Sequence, residues 1–177
     1  KFELIFIRSN DQRTLWTLRG GQLESASLLL THQSHPMMDR FYSKKASCKY
    51  KELIGVSVPK KQLYTKFLEK QGIDYARYNS KQWQPDEAFI NFKNKTAYII
   101  EKKFQNCSGS VDEKLPGCHF KKLEYKKLFA PLNYNIEYIY VFNDWFLQHQ
   151  YRDTLEYIKR MGCHYFFNEI PLDFLNL

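Results

Sequence analysis

A chain of 177 residues with 44% hydrophobic content is long enough for one full-sized core and too short for two comfortable independent domains. Its formal charge of +8 and a pI near 9.2 favour a polyanionic partner, nucleic acid first among them. No apolar run approaches a membrane span, Lys1-Phe2-Glu3-Leu4 builds no secretory signal, and four scattered cysteines without a Cys-x-x-Cys pair indicate neither a zinc knuckle nor a disulfide framework. The expected setting is the cytoplasm, with no membrane partner and with reduced thiols.

In chain order, Lys1 to Arg8 alternates as a strand, and Thr14 to Arg19 is its expected hairpin partner. Gly20-Gly21 breaks that run, and Gln22 to Thr31 patterns as a helix. His32 and His35 have helical ligand spacing but no third ligand nearby, and Pro36 adjoins them, so loop histidines are expected. Tyr42 to Lys51 mixes cations, tyrosines and hydroxyls, and its Lys44 and Lys45 are candidates for phosphate contact.

Pro59 followed by an amphipathic run and then Gly72 predicts a helix with Leu63, Phe67 and Leu68 on its apolar face. Gln82 to Asn106 predicts a β-hairpin: two β-prone runs, Glu87 to Phe92 and Thr96 to Phe104, flank the polar Lys93-Asn94-Lys95. The period of two puts Ala97, Ile99, Glu101 and Lys103 on one face of the second run and Tyr98, Ile100, Lys102 and Phe104 on the other. Folding the hairpin back carries Asp86, just after Pro85, toward Glu101.

The polar loop from Asn106 to Gly117 offers Ser108, Ser110 and Lys114 to a phosphate backbone. His119 to Ala130 then predicts a helix with Phe120, Leu123, Leu128 and Phe129 apolar, and with Lys121, Lys122, Lys126 and Lys127 placed to track phosphates. Ile136 to Phe142 has the near-continuous apolar character of a buried central strand, Gln150 to Met161 of a helix, and Cys163 to Phe167 of a last short strand. Asp144 and His164 are expected to be structural. The whole is an α/β (α+β) arrangement, a mixed sheet flanked by helices, with the strand after the second helix crossing over to run parallel to its neighbour.

Two carboxylates converging beside an ammonium make a hard-cation site suited to phosphate hydrolysis. Pro85-Asp86 followed on the next strand by Glu101-Lys102-Lys103 resembles the PD-(D/E)XK nuclease superfamily, whose best-known members are type II restriction endonucleases. The resemblance implies a restriction-endonuclease-like sheet over 59–177, with 1–58 as an extension able to read DNA. It implies catalysis by Asp86, Glu101 and Lys103, with Mg²⁺ held by Asp86, Glu101 and the carbonyl of Lys102. It further implies hydrolysis of double-stranded DNA by a homodimer, with a repair nuclease, a junction resolvase or an inactive DNA-binding module as alternatives. A helix ahead of the hairpin often adds an acidic or amide side chain in that superfamily, and Gln62 and Glu69 are the candidates. The chain departs from the pattern at Lys102, where a small or apolar residue is usual. Its burial on the opposite face would be costly, so an open face or a shorter strand is expected there.

Overall fold

The computed structural model describes residues 3–8, 14–19, 39–43, 52–107, 109 and 111–177. The expectations placed on Gln22–Thr31, His32, His35, Lys44, Lys45, Ser108 and Ser110 lie outside the described residues.

Six strands form one mixed sheet in the order β3 (Asp39–Ser43), β4 (Glu52–Val58), β5 (Glu87–Asn91), β6 (Thr96–Lys103), β7 (Asn135–Phe142) and β8 (His164–Phe167). The first four are antiparallel to their neighbours, while β6, β7 and β8 run parallel. Parallel neighbours need crossovers, and helices supply both: α1 (Cys118–Phe129) between β6 and β7, α2 (Arg152–Arg160) between β7 and β8. β1 (Glu3–Arg8) pairs with β2 (Thr14–Arg19), as the alternation predicts, and on its other edge with β9 (Glu169–Pro171), making a second sheet of three strands. Strands from 1–58 are thus hydrogen-bonded into both sheets, and β4 continues the main sheet directly onto β5.

The central hairpin is built without Asn-Gly. Lys95 takes the left-handed position (φ 52°), and two asparagine side chains hold the turn. Asn91 Oδ1 accepts the backbone N–H groups of Lys93 and Asn94 at 2.9 and 3.3 Å, and Asn94 Oδ1 accepts that of Thr96 at 3.1 Å. Such local amide-to-backbone bonds do the work that a glycine would otherwise do through conformational freedom.

The register Glu87↔Ile100 and Asn91↔Thr96 fixes two faces. On one, Ala88, Ile90, Ala97 and Ile99 are buried against the Leu63–Leu68 helix, α1 and α2, through residues such as Leu63, Phe67, Tyr125, Phe129 and Ile158. On the other, Phe89, Tyr98 and Ile100 are covered by Ile170, Leu172 and Leu175 of the C-terminal segment. A strand buried on both sides must be apolar on both, which explains the unbroken Ala97-Tyr98-Ile99-Ile100 run. Leu63–Leu68 winds as a π-helix, tightens into a 3-10 turn over Glu69–Gln71 and ends at Gly72 with φ 76°. No helix among the described residues is long and apolar enough to cross a membrane.

Candidate active site

β5 begins at Glu87, so Asp86 stands at its mouth, and Glu101 and Lys103 lie near the end of β6 beside it. Asp86 is locked there by the backbone N–H of Lys102, which donates to its Oδ2 at 2.8 Å. From the other side, the N–H of Lys60 donates to the Pro85 carbonyl at 3.0 Å, tying the start of the preceding helix to the same turn.

The Lys103 ammonium sits between the two carboxylates, 2.8 Å from Glu101 Oε2 and 3.7 Å from Asp86 Oδ2. Lys121, on the first turn of α1, approaches the other oxygen of Glu101 at 3.3 Å. Only 7% of the Glu101 side chain is exposed, against 37% for Asp86, so the pair runs from a sealed floor to an open edge. Beneath it, burial first and the Glu101 charge second hold the Tyr138 phenol well above its ordinary pKa. Burial dominates at Tyr125 too, with Tyr64, Glu101 and Asp86 adding to the rise.

Lys102 answers its own difficulty by another route than the expected open face. Its ammonium is largely buried and lies 2.8 Å from Glu87 Oε2, and the Ser57 hydroxyl donates to the second oxygen of that carboxylate. The strand is therefore neither too long nor open at this point. One ion pair and one hydroxyl, a triad drawn from β4, β5 and β6, fill the opposite face behind the Asp86–Glu101 pair.

The donor set suits a small hard cation: all-oxygen, doubly anionic, and open on the Asp86 side for waters or substrate oxygens. An ammonium already occupies the position between the carboxylates, which marks it as a place of cation affinity. The Lys102 carbonyl belongs to the same turn of backbone as the N–H that fixes Asp86. No group of three or more His, Cys, Asp or Glu side chains is gathered for a metal among the described residues, so a resident ion would depend on main-chain, water or substrate oxygens for most of its shell. Gln62 is two residues past Lys60, and its Oε1 is buried with no hydrogen-bond donor among the described residues. Glu69 lies exposed at the other end of that helix, beyond the Leu63–Leu68 turns.

No family model, curated protein or solved structure matches this chain.

The remaining candidates are spread out. Lys122 is buried, its ammonium 3.1 Å from Glu137 Oε2 and 2.6 Å from the Gly162 carbonyl, so the expected phosphate contact does not fit its place. It belongs to the stripe Cys118, Lys122, Tyr125 and Phe129 that α1 buries, and of the four apolar residues named on this helix, Leu128 and Phe129 are buried while Phe120 and Leu123 face outward at 53% and 41% exposure. Lys126 and Lys127 are exposed, Lys127 paired with buried Glu124. Lys114 is exposed and makes no ion pair among the described residues. Asp144 accepts from the Asn168 amide at 2.7 Å, and His164 Nε2 lies 3.0 Å from Glu137. A cavity of about 390 Å³ lined by Thr96, Lys126, Glu137 and His164 opens at the opposite end of β6, away from Asp86. Cys118 and Cys163 are buried free thiols and Cys107 is exposed; Cys48 is outside the described residues.

Residues that the sequence did not single out complete the surroundings. The carbonyl of Trp83, three residues before Asp86, accepts from the hydroxyls of both Tyr64 and Tyr125, the latter at 3.0 Å. The Trp83 ring lies 4.5 Å from Lys81 Nζ and 6.0 Å from Lys121 Nζ, with Phe120 in T-shaped contact at 5.8 Å. The sequence signal for this was the tryptophan between two cations' reach, which carries no address without the phase of α1.

Proposed function

We propose that this chain is a metal-dependent phosphodiester hydrolase acting on DNA, of the PD-(D/E)XK kind. The observation that carries the reading is the Lys103 ammonium held between the carboxylates of Asp86 and Glu101 at the open end of adjacent antiparallel strands. The parallel crossover from β6 through α1 to β7, which places a second lysine on Glu101, is in keeping with it.

Asp86, Glu101 and the carbonyl of Lys102 would hold Mg²⁺, which when bound supplies Lewis-acid polarisation of a phosphoryl oxygen and a more acidic water. Asp86, the exposed partner, presents its carboxylate to incoming solvent, while the backbone N–H of Lys102 fixes its angle. Lys103, released from its bridging position, orients the attacking water and donates to the phosphoryl oxygen on which charge develops. Lys121, 3.3 Å from Glu101 Oε1, holds that carboxylate in orientation and adds a second positive charge facing the phosphate. A buried floor of tyrosines excludes bulk water below the pair.

Double-stranded DNA as substrate, a type II restriction enzyme as the class, a homodimer matching a two-fold site and a cytoplasmic setting belong with this reading. The test is incubation of a long linear duplex with the protein in Mg²⁺ or in EDTA, followed by a gel. Discrete Mg²⁺-dependent fragments are expected. Lys103→Ala should lose cleavage by at least about a hundredfold without loss of fold. Asp86→Ala should lose cleavage while metal-free DNA binding persists or tightens, a negative charge facing phosphates having gone. Intact DNA after exposure to Mg²⁺, on duplex, single-stranded and branched substrates alike, would remove the hydrolase reading.

A further inference from the structure

Beside the carboxylate pair, Lys121 adjoins three side chains that the hydrolytic step does not use: Lys81, Trp83 and Phe120. Lys121 reaches two ways: its ammonium is 3.3 Å from Glu101 Oε1 and 6.0 Å from the centre of the Trp83 ring. Lys81 Nζ is 4.5 Å from that same centre. Phe120 meets Trp83 in a T-shaped contact at 5.8 Å and 80°, yet more than half of it faces water, and Leu123, one turn on, is also exposed. Two tyrosine hydroxyls on one carbonyl hold the backbone under Trp83, and the ring above it is packed by Phe120 and the two ammonium groups. Exposed aromatic surface next to a site, braced from behind and bordered by two cations, calls for an occupant that is both flat and anionic.

We infer that Phe120, backed by Trp83 and flanked by Lys81 and Lys121, is a stacking platform for one unpaired nucleobase next to the phosphate that is cut. This rests on the nuclease reading and names its substrate more narrowly: a strand with at least one base out of the duplex stack, as in a single strand, a frayed end or a locally opened site. The charge pattern selects this occupant. An apolar protein segment would take the Lys81 ammonium out of water with no carboxylate to meet it and would cover the Lys121–Glu101 pair, whereas a nucleotide brings a base for the ring and phosphates for the lysines. The bases of an intact duplex present only their edges, which an aromatic face cannot stack upon.

The experiment measures binding by the full chain, in EDTA, to labelled single strands of equal length and charge, one of thymidines and one wholly abasic. Wild type should prefer the base-bearing strand by about 5- to 150-fold, the range one stacked base supplies. Phe120→Ala should bring that ratio close to one while leaving the salt dependence of binding unchanged, and Phe120→Trp should restore it. Because Phe120 is exposed, melting of the variant should match wild type, and Phe120→Leu gives a second non-aromatic test should the alanine variant fold poorly. A wild-type ratio near one, or a ratio that survives in both non-aromatic variants, overturns the platform. Either result leaves Mg²⁺-dependent cutting and its loss in Lys103→Ala to decide the nuclease reading separately. No binding to any nucleic acid overturns both.

Discussion

Replacing Lys102 by methionine tests whether the back of the hairpin is held by a buried charge pair or by apolar packing alone. Methionine keeps the length and most of the volume of the lysine stem and deletes the ammonium. Glu87, whose side chain is 7% exposed, then keeps the Ser57 hydroxyl but loses the cation 2.8 Å from its Oε2, with Lys102 itself only 16% exposed. Breaking a buried pair from one side costs about 3–5 kcal/mol, because the remaining charge stays out of water without its partner. For a domain of this size that corresponds to roughly 6–20 °C in Tm. Urea titrations of wild type, Lys102→Met, Glu87→Gln and the double variant form a closed cycle. The double variant should recover much of the loss, since neutralising both partners removes the uncompensated charge. A loss under about 1 kcal/mol in Lys102→Met, the size of a solvated surface pair, would refute the buried triad.

Three further outcomes follow from the geometry. A Cβ at Gly55 would lie 2.3 Å from the Ile90 carbonyl oxygen and 2.9 Å from the Phe89 ring, so Gly55→Ala should destabilise by about 1–3 kcal/mol or more, read by urea melting; a neutral result would mean β4 and β5 sit further apart than described. Burial holds the phenols of Tyr64, Tyr125, Tyr138 and Tyr140 above their ordinary pKa of 10.0. With folded values raised, the folded state retains protons that the unfolded chain gives up, so stability is fully present below about pH 10 and falls as pH rises beyond it, and tyrosinate absorbance should appear together with unfolding rather than before it. Glu137 is held below its ordinary value of 4.5 mainly by His164, with Lys122 adding to it. A lowered folded pKa stabilises above the unfolded value and is lost as pH falls through the folded one, so the Tm gap between wild type and Glu137→Gln should close below about pH 4.5.

Local chemistry wrote the hairpin plainly: alternation, Pro85 before the first strand and a polar turn place Asp86 and Glu101 together, because only nearest-neighbour pairing is needed. The same holds for β1 with β2 and for the Gly72 helix end. What stayed hidden depends on register and phase between distant segments. Glu87 is 15 residues from Lys102 in sequence, yet its register partner is Ile100, so it sits diagonally across from Lys102; nothing in the spacing of charges reveals that until strand pairing is known. The rotation of α1 was equally hidden, because apolar residues occur on all its sides. The stripe that won contains Lys122, able to be buried because Glu137 and the Gly162 carbonyl meet its ammonium, and one residue's rotation turned its neighbour Lys121 to Glu101. The assignment of β4 to the main sheet needed a partner thirty or more residues away.

The second sheet imposes an order on how the molecule comes together. β1 can zip onto β2 at once, through a short connection, but its other edge must await β9, which nearly the whole described chain separates from it. Closing so long a loop is entropically costly, and β9 follows β8, which pairs with β7, after a single residue. Yet Ile170, Leu172 and Leu175 are also what cover Tyr98 and Ile100, on the face of β6 opposite Glu101. The cover over the strand bearing the carboxylate thus comes from the far end of the chain, so a protein lacking that segment would keep the hairpin's own pairing with one face of β6 left wet.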